Sequence, residues 1–372
     1  MSRQRNRRKN LRSGFTTGTA AAAAAKAAAM VFYGQSAPAE VDVALLNGGT
    51  WTISVQECRR EGGVAECRVK KDAGDDPDVT NGAIIGARVK RTGKNGVQIT
   101  GGEGVGRVTK PGLEVPVGLP AINSGPRKMI TQAIEAVAAN GIQNAEDGRG
   151  IEVEIFVADG EAIARKTLNA RLGIVGGISI LGTTGVVRPM SHAAYIATID
   201  SAVAVAAASR LDTVVCTTGR RSERHAQAMF AEMPAEAFVQ IGDYFEKAMT
   251  IMAERGIGNV VLAAFFGKAV KMAKGVPHTH AAKSRMVLED LARWAAAAGA
   301  ESKVAERVGG ANTAREAFFI LCEACPAVFS DVAEKMAAAA HFFAGGRVNV
   351  RAVLFDYEGA VAATAEKHGV QS

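Results

Sequence analysis

Apolar and polar positions alternate with a period of two in the first part of the chain, between residues 41 and 69. The alternating stretches are separated by Asn47-Gly48-Gly49 and Glu61-Gly62-Gly63, which are typical turn sequences of β-hairpins. A further strand is predicted over residues 151–157, and helices over residues 20–32 and 127–139. The pattern therefore predicts an N-terminal α+β domain with a largely antiparallel sheet.

Short apolar runs that end in glycine-containing loops dominate the second part of the chain, and a helical pattern follows each of them. The junctions are Gly182-Thr183-Thr184-Gly185 after residues 174–181, Thr217-Thr218-Gly219-Arg220 after 213–216, Gly242-Asp243 after 238–241, and Gly267-Lys268 after 259–266. Runs of this length are typical of parallel strands buried on both faces. Right-handed crossovers bring the carboxyl ends of such strands to one edge of a sheet. We therefore predict that all four junctions share one ligand-binding edge, with residues 174–181 as a central strand.

The length of 372 residues exceeds what one hydrophobic core usually serves, so the sequence predicts two domains of α/β class. Residues 1–12 are expected to be a disordered basic tail, and residues 13–170 an α+β domain that binds the substrate. Residues 171–372 are expected to form a Rossmann-like domain with a doubly wound, mostly parallel sheet.

Two polar loops in the first domain are candidates for a binding surface. Residues 101–112 are too rich in glycine for a regular helix or strand, and they carry Glu103 and Lys110. Residues 120–127 follow, with Asn123 and Arg127, and lead into a helix. Two such loops in one domain are more typical of a binding wall than of simple connections.

Thr16 and Thr17 precede the first predicted helix. Their hydroxyl groups suit a helix N-cap, and the open N–H groups at this end of a helix favour an anion. The pattern leaves two interpretations open, namely a substrate-binding helix end and a capped helix with no further role.

Several motifs argue against common chemistries. Thr183 stands where a phosphate-binding P-loop requires lysine, and no G-x-G-x-x-G follows a predicted strand. His278-Thr279-His280 has no third ligand evident in the sequence, which favours substrate contact or a capped loop over a metal site. The five scattered cysteines, including Cys322-Glu323-Ala324-Cys325, predict no disulfide framework and favour structural roles in a reducing cytosol.

The net charge of +7 indicates some attraction to polyanions, but six cations lie in the first 12 residues and account for most of it. Nucleic acid, a polycarboxylate substrate and a solvated surface with a basic tail all fit this charge. The aromatic content of 5% disfavours a stacking surface for single-stranded nucleic acid. The alanine-rich run at residues 20–31 is shorter than the about 20 apolar residues that span a bilayer.

Five long segments together resemble one known family, and the resemblance covers roughly residues 11 to 360. They are L-R-S-G-F-T-T-G-T-A from Leu11, T-G-G-E-G-V-G-R-V-T-K-P-G-L from Thr100, P-A-I-N-S-G-P-R-K-M-I from Pro120, T-L-N-A-R-L-G-I-V-G-G-I-S-I-L-G-T-T-G-V-V-R-P-M-S from Thr167, and F-F-G-K-A-V-K-M-A-K-G from Phe265 with the later H-T-H. In this order they resemble the cobalt-precorrin-5B C(1)-methyltransferases, the CbiD-type enzymes of anaerobic cobalamin (vitamin B12) biosynthesis.

The resemblance implies methyl transfer from S-adenosylmethionine to C-1 of a cobalt-containing tetrapyrrole, cobalt-precorrin-5B, giving cobalt-precorrin-6A. It implies a cytoplasmic enzyme that binds neither nucleic acid nor a membrane and that holds no metal ion of its own. Whether the enzyme forms a homo-oligomer is left open. A nicotinamide-dependent oxidoreductase and a basic nucleic-acid-binding protein are the alternatives that the residues themselves suggest.

Within that expectation, loops at strand ends hold donor and acceptor in line and exclude water. The expected contacts of the donor are Gly182, Thr183, Thr184, Gly185, Thr218, Gly219 and Gly242. The expected contacts of the tetrapyrrole and its carboxylates are Thr16, Thr17, Lys110, Asn123, Arg127, Arg220 and Lys268. His280, Asp243 and Glu103 are the candidate proton acceptors, and the sequence does not choose among them.

One feature departs from the common methyltransferase pattern, in which an acidic residue ends the second strand and binds the ribose of the donor. In the predicted strand order, Thr217-Thr218-Gly219-Arg220 stands at that point.

Overall fold

The structure, a computed structural model, describes residues 11–141, 150–280 and 285–369. It divides the chain into two compact units, residues 1–192 and 193–372. Helices and strands are mixed along the chain, and the sheets contain both parallel and antiparallel pairs, so the protein is of mixed α/β class. The predicted basic tail lies outside the described residues, apart from Leu11 and Arg12.

The first unit is built around a five-stranded sheet. Its described elements are β1 Gly14–Phe15, α1 Thr17–Phe32, β2 Glu40–Ala44, β3 Thr50–Ser54, β4 Glu57–Glu61, β5 Val64–Lys70, β6 Ile84–Arg91, β7 Val97–Gly101, β8 Gly104–Val105, β9 Arg107–Val108, α2 Ser124–Gly141, β10 Ile151–Val157, α3 Gly160–Ala164, β11 Ile174–Val175, β12 Gly177–Ile178 and β13 Val186–Val187. The strand order is β4-β5-β6-β10-β7, and only the pair β10–β7 in this sheet is parallel. The sheet is therefore largely antiparallel, as the alternating pattern predicts.

Helix α1 packs against β5 and β6 of this sheet and against α2. Between Ala20 and Ala29 every residue except Lys26 is an alanine with no exposed surface. Because alanine has no side chain beyond Cβ, the helix approaches its neighbours closely and loses no side-chain entropy. The alanine-rich run is thus core of the first unit. In the part of the chain that the structure describes, no helix combines the length and apolar character needed to cross a membrane.

The prediction of a central parallel strand over residues 174–181 is wrong. The segment forms β11, which pairs with β9, and β12, which pairs with β8, all in the first unit. Gly176 between them has φ of +80°, a left-handed conformation that interrupts an extended run. A Cβ on Gly177 would overlap the backbone of Gly104, so the glycines let this segment pack against the glycine-rich loop. The boundary between the units accordingly falls after His192, whereas the sequence predicts it after residue 170.

A buried ion pair lies in the first unit at the end of β5. The side chain of Lys71 has no exposed surface, and its Nζ lies 2.6 Å from Oδ2 of Asp78. Asp78 also accepts hydrogen bonds from the backbone N–H and the hydroxyl of Thr80, both at 2.7 Å. Burial by itself would raise the pKa of Asp78, but Lys71 and Thr80 outweigh it and hold that pKa below its ordinary value.

Cys58 on β4 and Cys67 on β5 stand opposite each other and form a disulfide, with 4.2 Å between their Cα atoms. The expectation of no disulfide was therefore wrong. It rested on the spacing of the cysteines along the chain and did not consider which residues of the hairpin face each other. Cys216, Cys322 and Cys325 are free. In the C-x-x-C motif Cys322 is exposed and Cys325 is buried, with its Sγ beside two backbone carbonyls.

The second unit is built around a second five-stranded sheet. From the start of its first helix the described elements are α4 His192–Ala208, β14 Thr213–Thr217, α5 Arg220–Met229, β15 Phe238–Gln240, α6 Phe245–Glu254, β16 Asn259–Phe265, α7 Phe266–Ala273, α8 Arg285–Ala297, α9 Ser302–Gly309, α10 Ala314–Ala324, α11 Val328–Phe343, β17 Asn349–Phe355 and β18 Val361–Lys367. The strand order is β15-β14-β16-β17-β18, and only β18 runs antiparallel to its neighbour. Val215, Val261 and Val353 point to one face, where they pack with Ala226 of α5.

Candidate active site

Three of the four predicted glycine junctions meet at the carboxyl edge of the second sheet. They follow β14, β15 and β16, which are neighbours in the parallel part of that sheet. The chain passes from β14 to β15 on one side and then to β16 on the other side of β14. Ligands of parallel α/β sheets bind outside the strand ends at such a reversal. The sheet therefore has a candidate ligand crevice beside Thr218.

Lys268, on the first turns of α7, connects the three junctions. Its Nζ lies 3.0 Å from Oδ1 of Asp243, 3.1 Å from the carbonyl oxygen of Gly242 and 3.2 Å from that of Thr218. An ammonium group has three donors, and these three acceptors match them in number. Lys268, predicted to contact substrate, therefore fixes the loops of the crevice.

Asp243 follows β15 and faces Lys268. Its Oδ1 also accepts a hydrogen bond from the hydroxyl of Thr279 at 3.2 Å. Burial by itself would raise the pKa of Asp243, but Lys268 above all, together with Thr279, holds that pKa below its ordinary value. A carboxylate with a lowered pKa is a weak base, so it accepts a proton poorly, but it remains charged near neutral pH and accepts hydrogen bonds well.

Lys271 lies one turn after Lys268 and is only 9% exposed. Its Nζ donates to the backbone carbonyls of Thr279 at 3.1 Å and His280 at 3.3 Å. Burial is the main cause that holds the pKa of Lys271 below its ordinary value, Lys268 adds to it, and Asp243 opposes it. This lysine is thus the buried amine of the site.

A pocket of about 540 Å³ opens between these groups. Its wall includes Asp243, Lys268, Lys271, His280, Asn312 and Tyr357. The exposed imidazole of His280 stands on its rim. Arg221 donates a hydrogen bond to the carbonyl oxygen of Tyr357, and its guanidinium lies 4.4 Å from the ring centroid of Phe265. The pocket thus combines cations, one carboxylate and aromatic rings.

The loop after β14 presents an open surface. The hydroxyl of Ser222 accepts from the backbone N–H of Thr218 at 3.0 Å and donates to the carbonyl oxygen of Gly219 at 3.0 Å. A Cβ on Gly219 would meet no atom within 4 Å, so the space over this glycine is free for a ligand. Arg220 is exposed directly beside it. Gly242 has φ of +58°, and a side chain there would crowd the hydroxyl of Tyr195.

The fourth junction, residues 182–185, belongs to the first unit, and no strand of the parallel sheet precedes it, so the prediction that it ends a strand of that sheet is wrong. It contacts the start of α1 instead. Thr16 is the N-cap of α1, and its backbone N–H donates to the carbonyl oxygen of Gly185 at 3.0 Å. The hydroxyl of Thr19 donates to the same oxygen at 2.7 Å. The two glycine–threonine motifs therefore bind each other.

Thr16 and Thr17, which the sequence assigns to substrate, are 8% and 5% exposed. Thr17 exchanges hydrogen bonds with the backbone of Leu181, which accepts from the Thr17 hydroxyl at 3.2 Å and donates to it at 2.9 Å. These internal contacts favour the capped-helix interpretation. Thr183 and Thr184, by contrast, are exposed.

The other predicted residues of the first unit differ in their surroundings. Arg127 donates to the backbone carbonyls of Ile122 at 2.9 Å and Ile99 at 3.3 Å, which ties its guanidinium to the protein. Asn123 donates to Glu114 at 2.8 Å. Lys110 is half-buried, with its side chain beside Gly173, and Glu103 is exposed. Of these side chains, Glu103 has the most open position.

Replacing Gly182 by valine tests the role of this junction. A side chain at residue 182 would overlap Thr16, and the φ of +147° is unfavourable for valine. We expect the first unit to lose about 2–4 kcal/mol of stability in thermal unfolding, since overpacking and backbone strain each cost about 1–3 kcal/mol. Gly176→Val is the matched control, because it brings a positive φ but no atom within 4 Å. Unchanged stability together with weakened binding of S-adenosylhomocysteine would indicate that the donor binds at this junction.

Sequence reasoning missed Lys271, Thr279 and Tyr357 as pocket residues. The available signal was the spacing of Lys268 and Lys271, which places both side chains on one face of a helix. Tyr357 enters from the loop after β17, far along the chain, and no local pattern connects it to the other two. Among the described residues, no group of three or more His, Cys, Asp and Glu side chains is arranged to hold a metal ion.

Comparison with known families shows which family this chain belongs to. The sequence model described as CbiD matches residues 4–189, and the model described as CbiD, C-terminal domain, matches residues 278–366. The chain belongs to the CbiD family. The first match contains the two glycine–threonine motifs, and the second contains His278, His280 and Tyr357 from the second unit.

Curated relatives in the CbiD family are similar over nearly the whole chain. A cobalt-precorrin-5B C(1)-methyltransferase of Rubrobacter xylanophilus is 43% identical over 96% of this chain and 92% of its own. One of Geobacillus kaustophilus is 43% identical over 86% of this chain and 88% of its own. A crystal structure of a cobalamin biosynthesis protein (cbiD) from Archaeoglobus fulgidus is 30% identical, covering 76% of this chain and 84% of that chain, with a TM-score of 0.39.

Proposed function

We propose that this CbiD protein transfers a methyl group from S-adenosylmethionine to C-1 of cobalt-precorrin-5B, giving cobalt-precorrin-6A in cobalamin biosynthesis. The observation that carries the proposal is the 43% identity to a methyltransferase of that name over 96% of the chain. The cobalt belongs to the substrate. The enzyme works in the cytoplasm, without nucleic acid or membrane as partner.

The donor binds at the carboxyl edge of the second unit, which we infer to be a Rossmann-like, doubly wound fold. Because residues 174–181 lie outside this sheet, β14 is its first strand in chain order and β15 its second. Asp243 then follows the second strand, where an acidic side chain can accept hydrogen bonds from the two ribose hydroxyls. Thr218 and Gly219 provide the open loop after the first strand for the adenosyl group.

The contacts of Asp243 support this assignment. In the described residues both Lys268 and Thr279 contact its Oδ1, which leaves Oδ2 for the donor. The ion pair keeps the carboxylate charged and fixes its orientation, so binding needs little reordering of the side chain.

Cations near the donor loop suit the carboxylates of the tetrapyrrole. Arg220 is exposed beside Gly219, and Arg221 donates a hydrogen bond to the carbonyl oxygen of Tyr357, a residue of the pocket wall. In the first unit Lys110 remains a candidate for substrate contact, whereas Arg127, Thr16 and Thr17 serve the structure of that unit.

Calorimetric titration of the full chain with S-adenosylhomocysteine and, separately, with NAD tests the proposal. We expect saturable binding of S-adenosylhomocysteine and no heat of binding from NAD. The sulfur compound shares the adenosyl and carboxylate groups of the donor and lacks the transferred methyl group, so it reports the donor site without turnover. Binding of NAD alone would instead favour an oxidoreductase at the same sheet edge.

A further inference from the structure

The buried amine of Lys271 has no role in the donor site described above, although its side chain forms part of the pocket wall. None of the ion pairs among the described residues includes Lys271, and a lysine without such a partner is costly to bury in charged form. Asp243, a carboxylate in the same pocket wall, is paired with Lys268. Such an amine in a pocket is a candidate for proton transfer.

The hydrogen bonds of Lys271 fit a neutral amine. A neutral amine has two N–H groups and one lone pair, and Lys271 has two carbonyl acceptors, Thr279 and His280. Both N–H groups are then used, and the lone pair remains available to the pocket. The same carbonyls also accept from the ammonium form, so the side chain keeps its position when it gains a proton.

The surrounding charges set the balance between the two forms. Burial and Lys268 favour the neutral amine, while Asp243 favours the ammonium. His278 and His280 approach from the loop after α7, with their ring centroids 6.3 Å apart. A positively charged sulfonium donor in the pocket would shift the balance further towards the neutral amine.

Two other acidic groups, Asp290 and Tyr357, do not compensate the charge of Lys271. Lys274, one turn further along α7, lies 2.5 Å from Asp290 of α8, so these two groups pair with each other. Tyr357 lies on the pocket wall, and burial raises the pKa of its phenol, which keeps it neutral near pH 7.

We propose that Lys271 accepts the proton released in the methyl-transfer step, an assignment that rests on the proposed function. The bond between sulfur and the methyl carbon breaks, and its electron pair stays on sulfur as the thioether forms. An electron pair of the macrocycle forms the new carbon–carbon bond, so the macrocycle gains one positive charge. It loses this charge as a proton, which the lone pair of Lys271 takes to form the ammonium.

This assignment conserves the charge of the pocket. The sulfonium loses its positive charge in the step, and Lys271 gains one. A low-dielectric site favours a step that moves charge within it over one that creates or removes charge. Asp243 is less suited, because Lys268 lowers the pKa of its carboxyl and so makes the carboxylate a weaker base.

Single-turnover methyl transfer by Lys271→Met and Lys271→Gln tests the assignment. We expect the rate constant to fall by about 100-fold or more in both, as for loss of a general base. The glutamine amide can still donate to the two carbonyls, so it separates proton transfer from loop support. Lys247→Met, an exposed lysine on α6, is the matched control and should retain the rate of the wild-type protein.

Further measurements distinguish a failure of this inference from a failure of the proposed function. We expect the rate of the wild-type protein to rise with pH as Lys271 loses its proton, and this limb to be lost in Lys271→Gln. Small primary amines should partly restore Lys271→Ala, and S-adenosylhomocysteine should bind all variants with a Kd within about threefold of the wild type. A variant rate above half that of the wild type, or an unchanged pH profile, would overturn the role of Lys271. Absence of methyl transfer by the wild-type protein would overturn the proposed function itself, and this inference with it.

Discussion

Asp243→Asn is expected to weaken the binding of S-adenosylhomocysteine about 10- to 100-fold. A hydrogen bond to a charged group contributes about 1.5–3 kcal/mol, and each 1.4 kcal/mol corresponds to about tenfold in Kd. Asparagine keeps the size of the side chain but removes the charge and replaces one acceptor oxygen by a donor. It also leaves the ammonium of Lys268 with uncharged acceptors only, since its other two partners are backbone carbonyl oxygens. Isothermal titration calorimetry at constant pH and salt measures the difference.

Two controls make this result specific to the ribose. Asp200→Asn breaks an ion pair with Arg255 on the surface of the same unit and should leave the affinity unchanged. An analogue of S-adenosylhomocysteine that lacks the ribose hydroxyls should bind the wild-type protein more weakly, yet bind Asp243→Asn and the wild type equally. If the wild type and Asp243→Asn both bound this analogue more weakly than S-adenosylhomocysteine by the same factor, Asp243 would not be the partner of the hydroxyls.

Asp78→Asn is expected to lower the stability of the first unit by about 3–5 kcal/mol, because removal of one partner leaves the buried ammonium of Lys71 without its counter-charge. The carboxyl of Asp78 is the partner at 2.6 Å, and the side chain of Lys71 has no exposed surface. Hydrogen exchange of the buried amides of α1 reports the free energy of unfolding of this unit. Asp42→Asn, at an exposed aspartate on β2, should change it by less than about 1 kcal/mol.

The pH dependence of this effect has a defined sign. Asp78 has a lowered pKa in the folded protein, so its contribution is present above the ordinary pKa of an aspartate and is lost as pH falls through the folded-state value. The stability difference between wild type and Asp78→Asn should therefore be largest near neutral pH and shrink below about pH 4. A difference that stays constant down to the acid limit would show that Lys71 is not stabilised by the charge of Asp78.

Local patterns in the sequence predicted many elements because their side-chain spacing is set within one segment. The strand at residues 151–157 has the predicted bounds, and the helix predicted over residues 20–32 begins three residues earlier and ends at the same residue. Strands β4 and β18 were missed, since charged residues are frequent in both and only their pairing with β5 and β17 defines them.

The main error concerned a segment whose composition is that of a buried strand. Residues 174–181 are apolar and β-branched, but the glycines among them pair with another glycine-rich loop, a contact that spacing alone does not reveal. Counting this segment as a strand of the sheet shifted the strand count by one. As a result Asp243 did not follow the second strand in the predicted order, and the sequence did not identify it as a residue of the donor site.

The candidate site was predictable to the extent that it lies at strand ends. Thr218, Gly219, Gly242, Asp243 and Lys268 come together as the rule for parallel sheets requires. The remaining pocket residues depend on tertiary packing. Lys271 is buried and donates to two backbone carbonyls, and no local pattern of the sequence reveals either feature.

A crystal structure of the full chain with S-adenosylhomocysteine is the most direct test of the donor site. We predict that the ribose hydroxyls lie within hydrogen-bond distance of Asp243 and that the adenosyl group covers Gly219. Binding of the adenosyl group against residues 182–185, with Asp243 contacting only Lys268 and Thr279, would contradict the account.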